Sequence, residues 1–233
     1  MKTSHCCVRL LEWVTLALAI SRSVGDAESS GAGGTTLARD GVALMTILTG
    51  KVQEPASELR RYLREISGAD FKTEPARAGA VGLYVGRASD FPWLALDKIA
   101  DLGSEGFLIK SDGANLLLIG AESPGVQHAV TTFLQSLGCR WFFPGQVWEI
   151  IPKQKTIAGH WNQRHRPSFE VQRKIWYGFG AYPACARDLA EWERHNRMGG
   201  TVPMSIGHTW YGIDPKADFE KHPEWFALVK GQR

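Results

Sequence analysis

Four side chains in the second half of the chain have types and positions suited to holding a polar ring compound. His208 and Trp210 follow directly on an apolar run at 202–206 that reads as a strand. In a parallel α/β architecture the C-terminal ends of strands face the ligand. A Trp face there can stack on the apolar face of a ring, and a His can hydrogen-bond a hydroxyl. The competing role is a satisfied structural His beside a packing Trp. Arg173 lies on an earlier predicted strand at 169–175, where its fork can grip a carboxylate or close an internal salt bridge. Glu224 stands in His222-Pro223-Glu224-Trp225. Pro223 suits the first turn of a helix, so Glu224 can touch a ligand or simply favour the helix dipole.

No CxxC or Cys/His spacing points to a metal, and no cofactor motif is present. Cys6 and Cys7 fall in the N-terminal run described below. Cys139 and Cys185 are too few for a disulfide framework; they can form one bridge or remain two buried thiols. The net charge over 233 residues is +3. Lys2, Arg9 and Arg22 against Glu12 place most of it in the first 25 residues. The remainder is near neutral and offers no general attraction to nucleic acid.

The elements that must position these groups begin after an export signature. Lys2 and Arg9 precede an apolar run at 13–20, and Ser23-Val24-Gly25 supplies small residues at a cleavage position. The run is too short to span a bilayer, which takes about 20 residues. Residues 1–25 are therefore expected to be a signal peptide, and the protein to be exported to the periplasm, cell surface or medium. Residues 26–36, rich in Gly, Ser and Ala, read as a flexible leader.

Residues 37–152 read as one mixed-sheet α/β layer domain. An apolar run at 42–48 fits a buried strand. A helix follows, opened by Pro55, striped by Ala56, Leu59, Tyr62, Leu63 and Ile66, and stopped by Gly68. Short strands are expected at 71–74 and 82–85. The runs 106–110 and 115–120 flank Asp112-Gly113, a strong hairpin signal. A second helix opens near Ser123-Pro124 and carries Val126, Ala129, Val130, Phe133, Leu134 and Leu137 on one stripe. Residues 139–143 predict another strand, with Trp141, Phe142 and Phe143 in core or interdomain packing. Two one-faced helices must cover a sheet. Residues 153–167 are polar, edged by Pro152 and Pro167, and read as a linker. Residues 168–233 then give strand, helix (184–198) and strand, the opening of a parallel α/β unit.

Several of these segments resemble one known domain. Glu58-Leu59-Arg60-Arg61-Tyr62-Leu63, Gly106-Phe107, Ile119-Gly120 and Gly125-Val126-Gln127-His128-Ala129-Val130 are similar to the small N-terminal domain that precedes the catalytic barrel in alpha-glucuronidases and beta-hexosaminidases. Phe133-Leu134-Gln135-Ser136-Leu137-Gly138-Cys139-Arg140-Trp141-Phe142-Phe143-Pro144-Gly145 carries the resemblance furthest. The later stretches at 191–199, 207–210 and 222–228 resemble an uncharacterised bacterial glycoside-hydrolase-like barrel domain found after that small domain in secreted proteins of polysaccharide degraders. They do not closely match the alpha-glucuronidase catalytic domain.

The resemblance implies a truncated (β/α) TIM-like barrel over 168–233 and a glycoside hydrolase acting on polysaccharide, with uronic-acid or amino-sugar polymers as candidates. Arg173 and His208 would then meet a sugar carboxylate or hydroxyl. Glycoside hydrolysis uses two carboxyl groups. A barrel takes about 250 residues, so the catalytic pair is expected beyond Arg233 and the chain alone is expected to be inactive. The implied partner is an oligo- or polysaccharide, with no nucleic acid and no membrane span. The alternative is a non-catalytic carbohydrate-binding or cell-surface protein that keeps the fold. The sequence is silent on oligomeric state.

Overall fold

The computed structural model describes residues 34–96, 98–169, 173, 183–200, 202 and 214–232. The fold is mixed α/β. Its central sheet has six strands in the order β11-β6-β7-β5-β3-β4. They are β3 (Ile47–Thr49), β4 (Thr73–Pro75), β5 (Leu83–Arg87), β6 (Phe107–Asp112), β7 (Asn115–Gly120) and β11 (Asn162–His165). β4, β3, β5 and β7 run parallel, while β6 and β11 are antiparallel to their neighbours. A second, antiparallel sheet joins β10 (Ile157–Gly159), β1 (Thr35–Arg39) and β2 (Val42–Ala43). β8 (Arg140–Trp141) and β9 (Glu149–Ile150) form a small ribbon.

The hairpin forms where Asp-Gly predicts it: Asp112 pairs with Asn115, and Gly113 takes φ +61° in the two-residue loop. Side chains of β7 alternate between two cores, as strand pleating requires. Leu116 and Leu118 face the larger core with Ile109, Leu83 and Val85, while Leu117 and Ile119 face a smaller one with Tyr84, Phe91 and Leu108. The continuous apolar run of β7 thus reflects a strand buried on both faces.

Helices α1 (Glu54–Ser67) and α2 (Ser123–Ser136) cover the larger core. α1 has Pro55 in its first turn and is stopped by Gly68, which takes φ +79° and whose N–H donates to the Arg64 carbonyl. α2 sits unusually close to the sheet. A β-carbon on Gly120 would lie 2.1 Å from the Val126 nitrogen, and one on Gly125 would lie 2.3 Å from the Gly106 carbonyl oxygen. Of the glycines quoted in the resemblance, Gly120 and Gly125 are therefore there because backbone meets backbone.

The structure corrects several expectations. The predicted strand 42–48 is split: β2 pairs with β1, Val42 and Leu44 are exposed, and only β3 enters the main sheet. The leader is shorter than 26–36, because Thr35 and Thr36 already pair with Gly159 and Ala158. Residues 153–167 do not behave as a linker. They supply β10 to the small sheet and β11 to the edge of the large one, and Trp161 packs its ring on Phe133 at 5.2 Å. The expected strand 71–74 begins later, at Thr73, and forms an exposed edge ending in Pro75, where a missing N–H is tolerated. Of the aromatic triplet only Trp141 is buried; Phe142 and Phe143 are exposed.

Beyond residue 167, helix α3 (Ala186–His195) follows a 3-10 turn at Pro183–Cys185 and buries Leu189 and His195. A short helix α4 (Pro215–Lys221) is capped by the Asp214 carboxylate, which accepts from the Lys216 and Ala217 N–H groups. The expected barrel strands at 169–175 and 202–206 lie almost wholly outside the described residues. Cys139 and Cys185 are separate free thiols. Among the described residues no helix is long and apolar enough to cross a membrane.

Candidate functional site

Antiparallel pairing of β11 with β6 sets His165 opposite Phe107, and their rings stack at 4.9 Å and 26°. Phe107 also meets His128 of α2 edge-on at 6.4 Å. Thr132 lies one turn further along α2, on the same face. These three elements, with the chain leaving β11 through Phe169, enclose a pocket of about 340 Å³. Arg173 and Arg197 complete its lining.

Among the described residues, Arg173 is the one sequence-predicted site residue in this pocket. Its guanidinium grips Glu105 with two bonds, 2.7 Å to Oε1 and 3.1 Å to Oε2, and also donates to the carbonyl oxygens of Phe169 and Arg197. Glu105 is largely buried. The fork geometry that suits a ligand carboxylate is thus occupied by one from the chain itself. Arg197, absent from the sequence reading, holds φ +53° just after α3. Its guanidinium donates to Thr132 Oγ1 at 3.3 Å and Gln135 Oε1 at 2.7 Å, both neutral oxygens. Burial, then the Arg173 charge, push its pKa below the usual arginine value. Burial likewise pushes His128 below its ordinary 6.5, although the Glu105 charge and backbone oppose this.

A second cluster lies in the core. Glu58 of α1 accepts from Gln127 of α2 at 2.6 Å, bonds His195 Nε2 and lies 3.6 Å from Arg194. His195 stacks on Trp141 at 4.2 Å, and the Trp141 indole N–H donates to the Tyr62 hydroxyl at 2.8 Å. Tyr62 in turn donates to Glu149 at 3.2 Å. Burial tends to raise the Glu58 pKa, but the His195 hydrogen bond and charge, Gln127 and Arg194 together bring it below the ordinary glutamate value. The cluster is enclosed by packing and fastens α3 to the two larger helices. Its sequence signal was a Glu on the apolar stripe of α1.

Glu224, the other predicted residue among those described, joins neither cluster. Glu224 sits in a 3-10 turn, Pro223–Trp225, exposed and bonded to His222 Nδ1 at 3.1 Å. His222 itself stacks on Trp225 at 4.0 Å. His208 and Trp210 lie outside the described residues. Among the described residues no group of three or more His, Cys, Asp or Glu side chains could hold a metal ion.

No protein-family model matches the chain, and no curated protein matches it in sequence. Solved structures similar to it include a GH115 4-O-methyl-alpha-glucuronidase with specificity for decorated arabinogalactans, at 17% identity and a TM-score of 0.49 over 66% of this chain and 24% of that one. The GH20 beta-N-acetylhexosaminidase of Streptomyces coelicolor A3(2) aligns at 18% identity and a TM-score of 0.39, over 63% of this chain and 27% of that one. A GH20 exo beta-N-acetylglucosaminidase of Vibrio harveyi aligns at 14% and 0.37, over 70% and 22%. The chain spans about a quarter of the length of these proteins.

Proposed function

We propose that this chain is part of an exported carbohydrate-active protein of the glycoside-hydrolase kind, acting on polysaccharide, and that its α/β domain contributes a sugar-binding pocket and not the bond-breaking carboxylates. The observation that carries this is the composition of the pocket between β6, β11 and α2. Its volume, about 340 Å³, lies within the range of small-ligand sites, roughly 300–1,000 Å³. His165 on Phe107 gives it a flat wall, Phe169 an exposed ring, and His128, Thr132 and Arg197 a set of polar groups. A pyranose presents one apolar face and a rim of hydroxyls, which matches such a lining.

Cleavage needs two free carboxyl groups. Glu105, beside the pocket, is gripped by Arg173, and Glu224 is turned to His222. Binding without cleavage is therefore the role that fits the described residues. His208 and Trp210 remain proposed contacts to the same substrate, as strand-end residues of a barrel. Export rests on the charge and apolar pattern of residues 1–25.

The test is affinity electrophoresis of the chain through gels holding neutral or acidic polysaccharides. Retarded migration in at least one, reversed by Phe169→Ala, is the expected result. Free migration in all of them overturns the reading. An assay on aryl-glycosides and uronic-acid oligosaccharides should give no turnover; turnover abolished by Glu105→Gln or Glu224→Gln would move the catalytic centre into this chain. Such turnover would also rule out the non-catalytic alternative.

A further inference from the structure

Among the described residues, the pocket contains a cation without a counter-ion. Arg173 is neutralised by Glu105 at 2.7 and 3.1 Å. Arg197 is not: among the described residues its guanidinium meets only the hydroxyl of Thr132 and the amide oxygen of Gln135, and it forms no ion pair with them or with any other described group. The two arginines are coupled, since Arg173 Nε donates to the Arg197 carbonyl oxygen at 3.2 Å. Arg197 is half-buried. Withdrawing a charge from water is costly unless an opposite charge or full hydrogen bonding replaces the water.

Nor is Arg197 placed to turn away. Its backbone N–H donates to the Arg194 carbonyl at 3.1 Å, and its side chain is tied to α2 through Gln135 at 2.7 Å. Both Gln135 and Thr132 contacts use Nη1, which leaves the other guanidinium N–H groups for a ligand. A planar fork with spare donors at a pocket wall is suited to an oxyanion.

We propose that Arg197 is an oxyanion seat, and that the pocket takes a sugar bearing a carboxylate or sulfate, with the anionic group on Arg197 and the ring against His165 and Phe169. The sugar part rests on the reading given above; the anion seat does not. The carboxylate-gripping role that the sequence suggested for Arg173 thereby passes to Arg197, because Glu105 already occupies Arg173. His128 and His165 line the pocket with hydrogen-bonding groups beside the seat.

The test is titration calorimetry of the chain with glucose, glucuronic acid, glucose 6-sulfate and inorganic sulfate, on the native protein and on Arg197→Gln and Arg197→Lys. Glucuronic acid or glucose 6-sulfate should bind at least about tenfold more tightly than glucose, with the preference lost in Arg197→Gln and partly kept in Arg197→Lys, as expected for loss of a charge-assisted bond. Inorganic sulfate should compete with the acidic sugar on the native protein, a result that stands even if Arg197→Gln fails to fold. Equal binding of glucose and the acidic sugars overturns this inference and leaves the sugar reading intact. Sulfate bound through Arg197, with no sugar preferred over it, keeps the anion seat and overturns the sugar reading. Undiminished binding of the acidic sugars by a folded Arg197→Gln overturns the seat.

Discussion

The Glu58 carboxylate on α1 bonds the His195 imidazole at the end of α3, although 137 residues separate them. Both side chains are almost wholly buried. Gln127 and Arg194 surround the same carboxylate, so one group on α1 holds partners from α2 and α3 together. Removing it leaves buried donors without acceptors. Glu58→Ala should destabilise the fold by about 3–5 kcal/mol, the range for breaking a buried pair by deleting one partner. Urea denaturation followed by Trp fluorescence measures this. A loss below about 1 kcal/mol would mean that the contact closes only loosely.

The same group makes stability depend on acid. The Glu58 pKa is lower in the fold than the ordinary 4.5, so the folded state binds fewer protons than the unfolded state just below that pH. Stability from this group is therefore fully present above 4.5 and is lost as pH falls through the folded value. His128 acts in the same direction at a higher window. Burial lowers it from 6.5, so its contribution is present above 6.5 and fades as pH falls. Thermal melts from pH 8 to 3.5 should show Tm declining first below 6.5 and more steeply below 4.5. His128→Asn should flatten the first limb alone, and an unchanged first limb would reassign it.

Much of the domain is legible in the sequence because its signals are local. The stripe of α1, the stop at Gly68, the Asp112-Gly113 turn and the run of β7 each depend on residues a few positions apart. β11 is different. Asn162, Gln163, Arg164 and His165 have no apolar alternation, and the segment is a strand only because β6, more than 50 residues earlier, offers it an edge. The β2–β3 split combines a local pairing, Val42 with Arg39 across the Asp40-Gly41 turn, with a distant one, Ile47 with Leu83. At the site, Arg173 was identified by type, but its partner Glu105 is 68 residues away. Arg197 lies in the resembling stretch 191–199, but no local pattern singles it out as a site residue, because the role proposed for it depends on partners in α2, Thr132 and Gln135.

Close backbone packing gives a third prediction. Gly120→Ala would push a β-carbon to 2.1 Å from the Val126 nitrogen, and neither the strand end nor the first turn of α2 can yield cheaply. Overpacking of this kind costs typically about 1–3 kcal/mol, and this contact should fall at the upper end. Gly34→Ala, whose nearest contact would be 3.7 Å from the Gly159 oxygen, should be close to neutral. Equal denaturation midpoints for the two variants would show that α2 sits further from β7.

Thiol chemistry gives a fourth. Burial, with a smaller contribution from the Glu149 charge, pushes the Cys139 thiol up to about 12. The thiolate is the reactive species, so Cys139 should resist iodoacetamide in the native protein and react fully in denaturant. Half-buried Cys185 serves as the internal comparison. Peptide mapping after labelling reads each site separately. Native labelling of Cys139 as fast as Cys185 would place the α2–β8 junction in solvent.

The last prediction concerns where the folding unit ends. From sequence alone, residues 37–152 would fold by themselves. The described contacts require more chain. Without residues 153–165, β6 loses its β11 neighbour and β1 loses β10. Phe133 loses the Trp161 ring, and the indole N–H bond to Ser136 disappears. Bare, apolar sheet edges favour association between copies. Ending the chain at 200 keeps both strands and also keeps His195 on Glu58 and Arg197 on Gln135. A protein spanning 34–200 should therefore be monodisperse with a cooperative melt, while one spanning 34–152 should aggregate or melt without cooperativity. In the native protein, proteases should spare 157–165, because cleavage needs an extended segment released from the sheet. Size-exclusion chromatography and limited proteolysis decide the matter. A cooperative, monomeric 34–152 would show that β10 and β11 are accessory strands on a core already complete.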